Sequence, residues 1–405
     1  MRGAVFGSVR VTGARGPAVA LLTAAALALT AGCSSSSGEP GDRASGGSHA
    51  TGPAGAASPS ASATASLPPA EGSAKVVSTL TTGLASPWGL AVLPGGDLLV
   101  SSRDEGTVTR VDAGSGKKTL LGSVPGVSPA GEGGLLGLAV SATYGADHQV
   151  YAYFTTESDN RIARMVYDER RPAGQQLGAP DTILRGIPKG AIHNGGRIAF
   201  GPDRMLYAGT GETGDDGLAQ DEDSLAGKIL RMTPDGEPVH GNPEADSVVY
   251  SPGHRNVQGL AWDREKRLWA SEFGQDTWDE LNRIEPGGNY GWPDVEGIAP
   301  KGTGGDFIDP VAEWKTAEAS PSGIAYAKGS IWMAGLRGER LWRIPLTGTE
   351  EEPLAKPRAF LEGTYGRLRT VVAAGGDKLW VVTSNTDGRG DPGPGDDRIV
   401  LVEVE

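Results

Sequence analysis

The stretch PWGLAVLPGGDLLVSSRDEGTVTRVD, residues 87–112, decides the fold. It reads as an apolar run, a Pro-Gly-Gly-Asp turn, a second apolar run, a polar turn at Arg103–Gly106 and a third run ending in Arg110-Val111. Such turns join antiparallel strands in hairpins, and runs of this length are strands rather than helices. The pattern returns in GLLGLAVSATYGADHQVYAYFTTESDNRIARMVYD from Gly134, and in RIAFGPDRMLYAGTGE from Arg197 with GKILRMTPDG from Gly227. Further copies are NVQGLAWDREKRLWASEFGQDTWDELNRIEPG from Asn256, SPSGIAYAKGSIWMAGLRGERLWRIPL from Ser320 and RLRTVVAAGGDKLWVVTSNTDG from Arg367. Repeats of roughly 50–60 residues built from short antiparallel strands predict an all-β fold, a six-bladed β-propeller of four-stranded antiparallel blades. In such a ring the loops of every blade converge at one end of a central channel, where a ligand site is expected.

Outward from the repeats, the N-terminal end is different in kind. Arg2, Arg10 and Arg15 precede an apolar run from about Ala18 to Leu29, followed by Leu29-Thr30-Ala31-Gly32-Cys33. This order reads as a lipoprotein signal peptide over residues 1–33, with Cys33, the only cysteine of the chain, at the acylation position. The run falls short of the ~20 apolar residues that span a bilayer. Residues 34–74 are almost entirely Ser, Gly, Ala, Pro and Thr, a composition that buries too little apolar surface to offset ordering entropy, and they are expected to form a flexible tether. The propeller is expected over 75–405, held to the cell membrane through a lipid on Cys33 in an extracytoplasmic location. With no cysteine in that region, neither disulfides nor thiolate metal sites support it. Four of the 37 basic and three of the 50 acidic residues precede Lys75, which leaves the remainder at a net charge of −14. That balance argues against a nucleic-acid partner and mildly favours bound divalent cations, although a solvated acidic surface explains most of it by itself.

Residues 251–293, SPGHRNVQGLAWDREKRLWASEFGQDTWDELNRIEPGGNYGWP, gather a cation, amides, carboxylates and turn glycines in one strand-turn-strand unit. Arg255 offers a fixed charge and a fork of donors for a carbonyl or carboxylate, and Asn256 adds an amide beside it; a structural arginine between blades fits the same pattern. Ser271–Asn282 is rich in oxygen, the ligand that calcium prefers, as well as being readable as a solvated acidic turn. His193 stands at the mouth of a loop before Asn194-Gly195-Gly196-Arg197, where a neutral imidazole can act as general base or simply hydrogen-bond. Arg367 and Arg369 alternate, so both face one side of a strand.

Together these motifs resemble the soluble glucose/sorbosone dehydrogenase family, the quinoproteins that use pyrroloquinoline quinone (PQQ) and calcium, over roughly Ser78 to Glu405. The resemblance implies that His193 removes the proton of a sugar C1 hydroxyl and that Glu212, where the family has Asp, orients it. Arg255 is similar to the arginine that polarises the quinone carbonyl, Asn256 to a neighbouring cofactor contact, and Asp279 lies near the active site. The carbonyls of Gly274 and of Gln275, often Pro in the family, match the catalytic calcium site. Glu280 and the carbonyl of Tyr290 match a second, structural one. Arg337, commonly Lys, joins Arg367 and Arg369 in holding the PQQ carboxylates. Glu132 stands where some relatives have a cofactor-contacting Gln, and its negative charge is awkward beside a tricarboxylate. His254 has no role in the resemblance and is taken as structural, and Trp314 is the one aromatic that offers itself for stacking on a sugar.

The implied activity is oxidation of the C1 hydroxyl of an aldose or related sugar to the lactone, with hydride passing to PQQ and electrons to an external acceptor. Two other readings stand beside it, a calcium-dependent lactonase and a cell-surface calcium-binding propeller without quinone chemistry. The lactonase has no use for Arg337, Arg367 and Arg369, while Glu132 and Glu212 are the residues that favour the binding propeller.

Overall fold

Each repeat folds as one antiparallel sheet in the computed structural model, which describes residues 71–405. The expected signal peptide, Cys33 and all of the tether before Glu71 lie outside the described residues. The chain enters as β1 (Ala74–Thr81), one residue before the boundary read from composition. Blade 1 is β2 (Pro87–Val92), β3 (Leu98–Ser102), β4 (Thr107–Val111) and β5 (Lys118–Ser123); blade 2 is β6 (Leu135–Val140), β7 (Gln149–Thr155), β8 (Asn160–Val166) and β9 (Asp181–Ile187). Blade 3 is β10 (Ile198–Phe200), β11 (Leu206–Gly209), β12 (Ile229–Met232) and β13 (Val249–Ser251); blade 4 is β14 (Val257–Trp262), β15 (Leu268–Glu272), β16 (Trp278–Ile284) and β17 (Ala312–Lys315). Blade 5 is β18 (Pro321–Ala327), β19 (Ser330–Gly335), β20 (Arg340–Pro345) and β21 (Arg358–Phe360). Blade 6 is β22 (Leu368–Gly375), β23 (Lys378–Thr383) and β24 (Ile399–Val404), completed on the outside by β1, which runs antiparallel to β24. The N-terminal strand therefore clips the ring shut, a pairing the repeats do not announce. Among the described residues the only helical pieces are α1 (Tyr144–Asp147) and one 3-10 turn (Asp216–Ala219).

The inner strands β2, β6, β10, β14, β18 and β22 pack against one another around the axis. Backbones approach closely there because the repeated Gly-Leu-Ala or Gly-Ile-Ala places a glycine at the contact. A Cβ on Gly137 would lie 2.1 Å from the Gly196 carbonyl oxygen of the next blade, and one on Gly259 would lie 2.4 Å from that of Ser322. Buried hydroxyls reinforce these seams: Ser101 accepts from Gly89 N–H at 2.7 Å and donates to the Leu136 carbonyl at 2.6 Å, and Ser271 donates to the Ser322 carbonyl at 2.7 Å. Between neighbouring blades lie six apolar clusters, one per interface. Each large side chain fully buried in them contributes about 1.5–3 kcal/mol.

Gly259→Ala is expected to destabilise the chain by about 1–3 kcal/mol, the usual cost of overpacking a tight seam. Gly95→Ala, whose added methyl has nothing within 4 Å, is expected to be neutral. Urea denaturation of both variants checks this, and equal midpoints would remove the glycine contact as a determinant of the ring.

Candidate active site

Two sets of loops meet at one end of the channel. One precedes the inner strands and carries Glu132, His193, Arg255 and Arg367; the other follows the second strands and carries Arg103, Glu212, Gly274, Arg337 and Asp387. Every residue of the site is thus placed by its register in a blade.

His193 is buried and adopts φ +53°, a left-handed conformation that a non-glycine residue holds only when its surroundings fix it. Its N–H donates to Glu132 Oε2 at 2.9 Å and its carbonyl accepts from Thr213 at 3.1 Å. Nδ1 lies 2.7 Å from both carboxylate oxygens of Glu212, itself buried. Nδ1–H donating to that carboxylate leaves the lone pair on Nε2, the tautomer a general base requires. Glu212 N–H donates to the Arg255 carbonyl at 2.9 Å, and Gly211 bridges to Asn256, which ties blade 3 to blade 4 at this point.

Arg255 donates from one terminal nitrogen to the Gly274 carbonyl at 2.7 Å and the Phe273 carbonyl at 3.3 Å, and stacks over Trp292 at 5.2 Å. Burial lowers its pKa, opposed by the charges of Glu212, Glu296, Glu272 and Asp279. Its Nε and Asn256 Nδ2 are buried donors without a protein partner, while Asn256 Oδ1 accepts from Gly195 N–H at 3.0 Å. Unsatisfied buried donors cost about 1–3 kcal/mol each and mark a place for a ligand acceptor.

Arg367 and Arg369 do face one side, and both donate to Asp387 Oδ2, at 2.9 and 3.1 Å. Desolvation pushes Arg369 down to about 10; burial pulls the Asp387 carboxyl up, but Arg369 and Arg367 outweigh it and hold it below the usual value. A narrow cleft is lined by these groups together with Arg103, Arg389, Glu132, Trp88 and Phe273. Asp104 pairs with Arg103 at 2.6 Å, so four guanidinium groups stand against three carboxylates, a remaining cationic excess that suits a polyanion such as PQQ. A larger groove lies between the β2–β3 turn and β4 of blade 1 and the β6–β7 connection and the end of β8 in blade 2, and includes none of these residues. Arg103, Asp387 and Arg389 were not singled out by motif; their register at the converging end is the signal that marks them. Arg337 is exposed at the rim beside Leu336, which lines the cleft.

Asp279, expected near the chemistry, gives both oxygens to backbone N–H groups, of Gly274 at 3.1 Å and Ser320 at 2.6 Å. It therefore anchors the turn that presents the Gly274 carbonyl, and it lies close enough to Arg255 for the two charges to interact. Glycine is required at 274 because a Cβ would meet the Trp278 carbonyl oxygen at 1.9 Å. The N–H groups of Gln275, Asp276, Thr277 and Trp278 all converge on Glu296 Oε1, at 2.7–3.1 Å. Glu280 accepts from Gly297 N–H at 2.8 Å and from Asn282 at 3.0 Å, and burial and the Glu272 charge push it up to about 8. Glu272 also holds His254 Nδ1 at 2.8 Å, and the His254 ring stacks on Tyr290 at 4.7 Å. Among the described residues no group of three or more His, Cys, Asp or Glu side chains is placed to hold a metal ion. The carbonyls of Gly274 and Gln275 would hold one calcium and Glu280 with the Tyr290 carbonyl a second, all oxygen donors of the kind calcium takes. Trp314 is buried against Trp342 in the interface of blades 4 and 5, away from any role in stacking on a sugar.

Comparison with known proteins shows the family. A family model described as glucose/sorbosone dehydrogenase matches residues 84–391. The solved PQQ-bound aldose sugar dehydrogenase of Streptomyces coelicolor is 74% identical with a TM-score of 0.81, over 84% of this chain and 100% of that one. The aldose sugar dehydrogenase YliI of Escherichia coli (strain K12) is 30% identical over 75% of this chain and 81% of its own length. The quinoprotein glucose dehydrogenase B of Acinetobacter calcoaceticus is 30% identical over 55% of this chain and 52% of its own.

Desolvation pushes Asp279 up to about 6 from 3.8. Between those values the folded chain keeps a proton that the unfolded chain has released, so the stability this group contributes declines as pH rises through that window. Urea denaturation across it is expected to show wild type losing stability relative to Asp279→Asn, the difference levelling above pH about 6. Parallel profiles would show the carboxyl to be unshifted.

Proposed function

Because the chain belongs to the glucose/sorbosone dehydrogenase family, we propose that the converging loops form the site of a PQQ- and calcium-dependent dehydrogenase that oxidises the C1 hydroxyl of an aldose or related sugar to the lactone. The observation that carries this reading is the buried His193–Glu212 pair at the same channel end as four guanidinium groups. Bound PQQ would supply the acceptor for the C1 hydride, with calcium as Lewis acid beside it. His193 Nε2 takes the hydroxyl proton, and the Glu212 carboxylate both holds the tautomer and stabilises the imidazolium that forms. Arg255, with Asn256 Nδ2, offers donors to the negative charge that develops as hydride leaves the sugar. Arg367 and Arg369 hold ligand carboxylates, with Arg337 at the rim. The carbonyls of Gly274 and Gln275 take the calcium, Arg255 sharing the former, and Glu280 with the Tyr290 carbonyl forms the second calcium site. Electrons then pass to an external acceptor. The signal peptide and Cys33 complete the proposal with a lipid-anchored, extracytoplasmic protein.

The replacement of Asp by Glu at 212 is compatible with this role, since both its oxygens reach Nδ1. Titration of metal-stripped protein with PQQ, with and without calcium, followed by dye reduction across a panel of aldoses, tests the proposal. Calcium-dependent binding with turnover is expected; absence of binding would leave a surface-binding propeller.

His193→Ala is expected to keep PQQ binding while turnover falls by about 10²–10⁴, the usual worth of a general base. Intact turnover would reassign the base. Arg367→Ala and Arg369→Ala are each expected to weaken PQQ binding by about tenfold or more, the scale of a charge-assisted hydrogen bond. Unchanged absorbance titrations would place the carboxylate clamp elsewhere.

A further inference from the structure

Glu132 points a carboxylate into the cleft that, on the reading above, receives a ligand with three carboxylates, and this inference rests on that reading. An unpaired negative charge there would oppose such a ligand. Glu132 has two engagements. Its Oε2 accepts the N–H of His193 at 2.9 Å, and its Oε1 pairs with the Arg389 guanidinium at 2.6 Å. Arg389 sits in the loop between β23 and β24, and its own N–H donates to Asp387 Oδ1 at 2.9 Å. Asp387 Oδ2 receives Arg367 and Arg369, and the Asp387 carbonyl receives Arg103 at 3.0 Å. One polar circuit therefore runs from the arginine clamp of blade 6, through a single loop, to the backbone of His193. The loop is shaped for this: a Cβ on Gly390 would meet Arg367 Cδ and Asn385 Cα at 2.8 Å, so glycine lets the segment lie directly on the clamp.

We propose that Arg389 neutralises Glu132 so that the cleft admits a polycarboxylate, and that Glu132, thus paired, is a positioning residue for His193 rather than a cofactor contact. The left-handed backbone of His193 gives the second half its force. A strained residue stays in place only while its amide is held, and Glu132 holds it. Arg389 is largely exposed and Glu132 only partly so, which makes the pair accessible to substitution without disturbing the blades.

The test is a double-substitution cycle on the full chain, Arg389→Ala, Glu132→Gln and both together, read by PQQ absorbance titration and by calorimetric titration with citrate, a redox-inert polycarboxylate. Arg389→Ala is expected to weaken binding of both probes by about tenfold or more, the scale of a charge left without its partner. Glu132→Gln is expected to bind as wild type or tighter, and the double variant to return to within about threefold of wild type, since no uncompensated charge remains. Wild-type binding by Arg389→Ala overturns the proposal, as does a double variant as weak as Arg389→Ala alone, which would make Arg389 a direct ligand contact. Wild-type protein that takes citrate but refuses PQQ sinks the quinone reading while the citrate cycle still decides this one; refusal of both sinks this one too. For the positioning role, the ring resonances of His193, assigned among the five histidines with His193→Gln, are expected to shift in Glu132→Ala and return in Glu132→Gln, which keeps an acceptor oxygen. Unmoved resonances in Glu132→Ala overturn that role.

Discussion

Six inner strands must pass within backbone contact of one another around a common axis, and the rest of the molecule follows from how that is met. Four repeats meet it with glycine, at Gly89, Gly137, Gly259 and Gly323, where any Cβ would lie less than 3.0 Å from the next blade. Where a repeat departs from glycine, the side chain reaches into the channel. Arg197 lies over Trp88 at 4.4 Å, donates to the Gln258 carbonyl at 2.8 Å and reaches Thr370 Oγ1 of blade 6 at 3.1 Å. Blade 3 faces blade 6 in a ring of six, so this one side chain links opposite blades across the axis.

The charge of the site is organised by burial. Desolvation, with Arg369 nearby, pushes Arg197 down to about 9, which is the direction expected of a guanidinium enclosed without a carboxylate of its own. Asp387 serves Arg367 and Arg369 at once, and Glu132 serves Arg389, so the cleft keeps an excess of positive charge while none of its acids is left bare. A buried charge is tolerated when it is paired and hydrogen-bonded, and the remaining cationic excess is what an anionic ligand would answer.

The fold was legible because hairpin turns and apolar runs are local signals, and the Gly-Leu-Ala copies carry them repeatedly. The clip of β1 on β24 was not, since it joins the two ends of the folded chain with no turn between them. The same division runs through the site. His193, Arg255, Arg367 and Arg369 stand in compact motifs, and the structure brings them to one end of the channel. Arg103, Asp387 and Arg389 occur in loops that read as ordinary polar turns, and only closure of the ring sets them against Glu132 and His193. The partners of Asp279 were hidden for a related reason: its sequence neighbours are acidic, but its oxygens go to backbone amides of its own turn and of blade 5.

His193, Glu212 and Arg255 come from blades 3 and 4, whereas Arg367 and Arg369 come from blade 6 on the far side of the axis. A ligand held by the clamp and reacting at His193 has to bridge the channel mouth, so its length is measured against the diameter of the ring and not against any flexible loop. Rigid strands fix that diameter through the glycine seams, which is how a site assembled from surface loops can hold reacting groups to the fraction of an ångström that catalysis demands. The polar circuit through Asp387, Arg389 and Glu132 crosses the mouth itself, as does the bond from Arg369 to Gln258 Oε1 at 3.4 Å, and it ties the backbone of His193 to Arg367 and Arg369.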